Sequence, residues 1–194
     1  EYKSVDLKKL RPKNSYKKLI LSRSDPIKAL IKKYGKIPKD LLKNRNCPHC
    51  NSSSHKLEME KDFLKIVKCK LCSLVFTNPI FDEDHYEKVY NSKSYQNVVK
   101  DLGESSHEYR RKRFGDERVK AIRNYIKKKK ISFLDIGCST GFVVESAKNF
   151  GWDAEGIDLN SSAINFGKSK GLNLHNADLF KMNFKKKFDV ITMY

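Results

Sequence analysis

Apolar positions change rhythm along this 194-residue chain. From Ile131 onward they fall into short continuous runs separated by helical stretches. Ile131 to Ile136 reads as a buried strand, Thr140 to Phe150 as a helix closed by Gly151, and Trp152 to Ile157 as a second strand. Ser161 to Lys170 reads as a second helix closed by Gly171, with further strands at Leu172 to Ala177 and Phe188 to Met193. Strands alternating with helices predict an α/β fold with a doubly wound parallel sheet.

Upstream the pattern is weaker. Residues 1–46 form a basic leader, partly helical. Within it Ser24-Asp25-Pro26 reads as a helix start, Ile27, Leu30 and Ile31 repeat at helical spacing, and Gly35 closes the segment. In residues 47–80 the runs 63–68 and 74–77 are β-rich, and Asn78-Pro79 ends the second. Residues 81–130 read as a helical linker. Asp82 caps a short helix through Tyr90. A longer helix is expected from about Ser106 to Lys130, with Val119, Ile122 and Ile126 on one face. Its last turn would hold Lys127 to Lys130, cations that suit a helix C-terminus. The expected order is leader, 47–80, linker, and an α/β segment at 131–194.

Composition narrows the function classes. The chain is 39% hydrophobic with a mean hydropathy of −0.67, and no run approaches the roughly 18 apolar residues a membrane span needs. The N-terminal segment lacks the apolar core of a signal peptide, so a cytoplasmic location is expected. Net charge is +18, which raises RNA as a partner. Lys far outnumbers Arg, however, and base readout and bidentate phosphate contacts favour Arg. The charge is therefore read as a compositional bias, with RNA as the alternative partner.

Four of the five cysteines form two CxxC pairs, Cys47-Pro-His-Cys50 and Cys69-Lys-Leu-Cys72. Without a secretory signal this spacing reads as a metal site. Eighteen residues between the pairs allow a hairpin that brings four thiolates to one Zn²⁺. A closed Cys₄ site leaves no open position, so the zinc is expected to be structural, in a small ribbon. His49 and His55 are nearby but are not needed as ligands. The fifth cysteine, Cys138, reads as a small buried hydrophobe.

Cys138 lies in FLDIGCSTGF, residues 133–142, where a strand runs into a glycine turn and a helix N-terminus. Such turns serve nucleotides generally, and two cofactor types compete for it. Asp135 discriminates: a carboxylate repels a pyrophosphate and attracts an ammonium. Asp158 stands at the end of the next strand, about 20 residues on, where an acid accepts ribose hydroxyl protons. Asp178 stands past the third strand, where it can accept from an adenine amino group. Three acids at three successive strand ends favour S-adenosylmethionine, which has an ammonium and no phosphate, over a dinucleotide.

Residues 131–194 resemble the first half of a class I S-adenosylmethionine-dependent methyltransferase, with about four strands of a Rossmann-like sheet. LDIGCSTG is similar to that family's glycine motif, GIDLN to its ribose-binding acid, NADLF to its adenine contact and FDVITMY to its fourth strand. The resemblance implies that Asp135 and the Gly137 backbone hold the methionine end and that Asp158 holds the ribose. It also implies that Leu159 packs on adenine and that Asp178 bonds adenine N6, with Ser139, Gly141 and Leu179 completing the set. Ser139 departs from the commoner Gly. CPHC…CKLCSLVFTNP followed by DEDHYEKVYNSKSY is similar to the zinc ribbon and helical hairpin that precede such domains in methyltransferases acting on small molecules, including sugars of surface glycans. The implied function is methylation of a small molecule, possible acceptors including a sugar or glycan precursor. The alternatives are RNA methylation, with the ribbon and leader gripping phosphate, and a non-catalytic ribbon module on a degenerate cofactor fold. Because the family sheet has seven strands, the expectation is that the natural chain is longer or this one a truncated product, able to bind cofactor and still be inactive.

Overall fold

The computed structural model describes residues 4–11 and 14–194. In chain order the elements are α1 (Leu7–Leu10), α2 (Ser15–Tyr34), β1 (Leu42–Lys43), β2 (His55–Lys61), β3 (Leu64–Cys69), β4 (Val75–Thr77), β5 (Ile80–Phe81) and α3 (Glu83–Asn91). They continue with α4 (Lys93–Arg110), α5 (Asp116–Arg123), β6 (Ser132–Ile136), α6 (Phe142–Asn149), β7 (Asp153–Asp158), α7 (Ser161–Ser169), β8 (Asn173–Asn176) and β9 (Val190–Met193). The chain divides into two compact units, one of residues 20–92 and one of residues 1–19 with 93–194.

In the first of these, β2 and β3 form an antiparallel hairpin joined by Asp62-Phe63, both in the left-handed region at φ 52° and 64°. Such turns match the twist of paired strands. β4 adds to β3, giving a three-stranded sheet, and β1 pairs with β5. The core is small: Cys47, Val67, Cys69 and Phe76 are buried, with Cys50 and Cys72 against them. Asp82 caps α3, as expected, by accepting from the His85 N–H at 2.7 Å. Ser24-Asp25-Pro26, by contrast, is no helix start, because Pro26 lies inside α2. The Ser24 hydroxyl donates back to the Leu21 carbonyl instead of accepting from the backbone ahead of it.

The other unit is built on a four-stranded parallel sheet in the order β8-β7-β6-β9. This is the α/β architecture expected from the apolar runs. β6 is central, and Phe133, Leu134 and Asp135 on it are all buried. Phe133 meets Trp152 at 5.6 Å between ring centroids, and Val143, Val144, Ala147, Ile164 and Leu174 complete the core. Burial of side chains of this size contributes roughly 1.5–3 kcal/mol each.

The linker helices differ from the expectation. The helix begins at Lys93, not near Ser106, and passes through a π-turn at Arg111–Gly115 into α5. It ends at Arg123, so Lys127 to Lys130 lie in the connection to β6, outside any helical turn. Lys128 there grips Asp189 at 2.7 Å, and Asp189 also accepts from the Ser132 N–H. Gly103 on α4 is required by a close approach: a Cβ at that position would come within 2.7 Å of the Thr140 methyl.

Candidate functional site

β6 ends at Ile136 and the chain turns through Gly137-Cys138-Ser139-Thr140-Gly141 into α6. The Gly137 and Cys138 N–H groups both donate to the Ile157 carbonyl, at 2.9 and 3.0 Å, which pins the turn against β7. Gly137 has φ 73° and open space where a side chain would be, so the backbone is bare toward the C-terminal edge of the sheet. Ser139 also adopts a left-handed conformation, φ 51°, which costs a non-glycine residue about 1–2 kcal/mol. Its N–H donates to Asp158 Oδ2 at 2.8 Å, a charged hydrogen bond that offsets the strain.

Asp158 ends β7 and takes a second bond from the Asn160 N–H to Oδ1 at 2.7 Å. A carboxylate offers about four acceptor positions, so two remain. Leu159 beside it is 60% exposed. Asp178 stands just past β8, where it caps the 3₁₀ turn Leu179–Lys181 by accepting from the Phe180 N–H. Leu179 is half-buried in that turn.

Asp135 is the buried member of the three acids, 4% exposed. It accepts from the Thr192 hydroxyl of β9 at 2.7 Å. Burial pushes its carboxyl up to about 6, against the pull of the Thr192 bond and of Arg118, while the Asp158 charge adds to the rise. Burial likewise pushes the Cys138 thiol up, which leaves it a neutral packing group. The structure therefore places Asp135, Asp158 and Asp178 at or just past the C-terminal ends of three hydrogen-bonded neighbours, β6, β7 and β8. In open α/β sheets that edge is where ligands bind.

One residue at the turn was not singled out by sequence reasoning. His107 of α4 is buried, with Nδ1 2.8 Å from the Thr140 hydroxyl and Nε2 2.5 Å from a Glu145 carboxylate oxygen. Burial holds the imidazole below its usual value, against the pull of Glu145. These two contacts tie the turn and the start of α6 to α4. His107 lies 33 residues before Thr140, and no local pattern signals the contact.

In the other unit the four CxxC thiols converge. Their Sγ atoms all lie within 4.8 Å of one another, with Cys47–Cys72 at 3.5 Å and Cys50–Cys69 at 3.6 Å. A tetrahedron with Zn–S bonds of about 2.3 Å has edges of about 3.8 Å, so the donor set fits Zn²⁺. The two knuckles repeat one geometry. Asn51 and Ser73 follow the second cysteine of each pair at φ 58° and 64°, and their N–H groups donate to Cys47 O and Cys69 O. The N–H groups of Cys72 and Leu71 also point at the Cys69 sulfur and, against burial, lower its thiol to about 6. Among the described residues no other group of His, Cys, Asp or Glu side chains forms such a cluster.

No curated protein matches the chain significantly. Among solved structures it is similar to the plantazolicin methyltransferase BpumL in complex with SAH, at 21% identity, 55% of this chain, 44% of that one and a TM-score of 0.45. It is also similar to the sugar N-methyltransferase KedS8 from Streptoalloteichus, at 22% identity, 41% and 33% coverage and a TM-score of 0.35. CalS10, an amino pentose methyltransferase from Micromonospora echinaspora, is 22% identical over 60% of this chain and 43% of that one, with a TM-score of 0.31. The chain spans less than half the length of each. The family model that matches it is that of a methyltransferase domain, over residues 106–194, from the last turns of α4 through the whole parallel sheet.

Proposed function

We propose that the chain is part of an S-adenosylmethionine-dependent methyltransferase acting on a small molecule, with a structural zinc ion in its ribbon. The observation that carries this reading is the alignment of Asp135, Asp158 and Asp178 with three neighbouring strand ends around the bare Gly137 turn. The methyltransferase family model over the same segment supports it. Asp158 has two acceptor positions for the ribose diol, and Leu159, exposed beside it, offers an apolar face for adenine. Asp178 and Leu179 bound the adenine end, while Asp135 and the Gly137–Gly141 turn face the methionine end. The cofactor supplies a methyl group activated by a sulfonium, so the protein's task is positioning for an in-line displacement.

The small-molecule acceptor rests on the likeness of the ribbon and the helical hairpin after it to those of small-molecule methyltransferases. Cys47, Cys50, Cys69 and Cys72 would hold the zinc, which would stabilise a unit with a small core. Thiols kept for a metal fit a reducing compartment, the cytoplasm. Among the described residues no helix is long and apolar enough to cross a membrane.

Calorimetric titration with S-adenosylhomocysteine and with NAD tests the reading, after circular dichroism has shown folded protein. S-adenosylhomocysteine should bind and NAD should not. Asp158→Ala should weaken binding at least about tenfold, since a charged hydrogen bond contributes about 1.5–3 kcal/mol. Preference for NAD, or an unchanged affinity in Asp158→Ala, would sink it.

A further inference from the structure

The ribbon unit holds a cavity of about 510 Å³, within the roughly 300–1,000 Å³ typical of small-molecule sites. Residues 44–46, ahead of the first cysteine knuckle, form one wall. Asn51 and Ser53 follow that knuckle, His55 opens β2, and Asn78 follows β4. None of these residues belongs to the thiol cluster or to the proposed cofactor site. We propose that this cavity binds the phosphate of a sugar phosphate, with Arg45 as the residue that meets the anion.

The walls are held in place by the protein's own hydrogen bonds. Asn78 is 5% exposed and joins two of them. Its Oδ1 accepts from the Arg45 N–H at 3.0 Å, and its Nδ2 lies 3.2 Å from His55 Nε2. Its own N–H donates to the Lys65 carbonyl at 3.0 Å, which anchors it to β3. Asn46 Nδ2 donates to Asn51 Oδ1 at 3.3 Å, which ties the two sides of the first knuckle together. A site ordered in advance loses less conformational freedom on binding. The walls are not fully satisfied by the protein itself, because His55 Nδ1 is buried without a hydrogen-bond partner.

Charge decides the ligand class. Arg45 Nε donates to the Thr77 carbonyl at 3.2 Å, and its guanidinium carbon lies 5.6 Å from the centroid of the Phe76 ring. These contacts orient the guanidinium, and among the described residues its two terminal nitrogens have no partner. Among the same residues no carboxylate pairs with Arg45, and no Asp or Glu lines the cavity. An unopposed guanidinium fork matches phosphate oxygens. The other lining side chains are Asn, Ser and His, groups that donate and accept as sugar hydroxyls require. No Phe, Tyr or Trp lines the cavity, so it offers no platform for stacking a nucleobase. One cation is also too few for an extended nucleic-acid backbone.

The inference is independent of the methyltransferase reading. NMR titration of the zinc-loaded chain with glucose 1-phosphate, inorganic phosphate and glucose tests it. Glucose 1-phosphate should bind most tightly, inorganic phosphate next and glucose least, with shifts confined to residues 44–55 and 76–78. Arg45→Gln should weaken glucose 1-phosphate about tenfold or more, the range of a charge-assisted pair, and leave zinc content unchanged. Asn51→Gly removes one amide from the wall at a position whose φ of 58° suits glycine, so the knuckle keeps its backbone. It should weaken glucose 1-phosphate a few-fold and reports even if Arg45→Gln does not fold. A folded wild type that binds none of the three, or variants that keep full affinity, would overturn the assignment. Equal affinity for inorganic phosphate would make free phosphate the occupant and overturn the sugar part. Displacement of glucose 1-phosphate by single-stranded RNA at physiological salt would give the site to nucleic acid instead.

Discussion

Replacing Cys69 with serine is expected to abolish zinc binding and unfold the ribbon. Two of the four residues at the centre of its core, Cys47 and Cys69, belong to the thiol cluster. Of β2, only His55 is not exposed, so this strand contributes little apolar burial of its own. Structural zinc contributes about 10–16 kcal/mol in small modules of this kind, comparable to the roughly 5–15 kcal/mol that holds a whole domain. Serine is nearly isosteric but is not a thiolate, so the substitution removes the ligand and leaves the packing. Elemental analysis should find one zinc per wild-type chain and a large deficit in Cys69→Ser, with the loss of a cooperative thermal transition. Equal metal content and equal melting temperature in the two proteins would refute a zinc site at these cysteines.

The parallel sheet was legible in the sequence because strand-like segments alternate with helical ones, and its inner strands β6 and β7 are largely buried. Ile131 to Ile136 and Trp152 to Ile157 could be read as strands despite Asp135, Asp153 and Glu155 within them, and Gly151 and Gly171 marked the helix ends. β2 was not legible. His-Lys-Leu-Glu-Met-Glu-Lys has only Leu57 and Met59 as apolar residues, both exposed, and the strand pairs with β3 across Asp62-Phe63. The first half of α4 was legible in Tyr95, Val98, Val99 and Leu102, which repeat at helical spacing, but Gly103, which tertiary contact requires, reads as a break in it. The strand-end acids were legible because topology alone sends consecutive parallel strands to one edge. His107 and Arg118 were not, because their partners are separated from them in sequence and come together only when the upstream helices pack on the sheet unit.

Replacing Asp135 with asparagine is expected to make the protein more stable at neutral pH and worse at binding its cofactor. The carboxyl is raised from 3.8 to about 6, first by burial, and Arg118 only partly compensates. For an acid raised in the folded state, the folded form binds the proton more tightly than the unfolded chain. The cost of keeping the carboxylate is therefore absent below about pH 4, grows as pH rises through 6, and is complete at neutral pH. Two pH units correspond to about 3 kcal/mol, an upper bound for the variant because the asparagine amide must also find partners. Asparagine keeps the shape and an oxygen to accept from Thr192. Urea melts should show Asp135→Asn gaining on the wild type at pH 7.5 and the difference closing near pH 4. At pH 7.5 its affinity for S-adenosylhomocysteine should fall about tenfold, as the ammonium loses its counter-charge. NAD should not gain, since removing one acid does not build a pyrophosphate site. A variant that is less stable at pH 7.5, yet binds S-adenosylhomocysteine as well as the wild type, would show that Asp135 is a packing and hydrogen-bonding residue with no electrostatic part in the site.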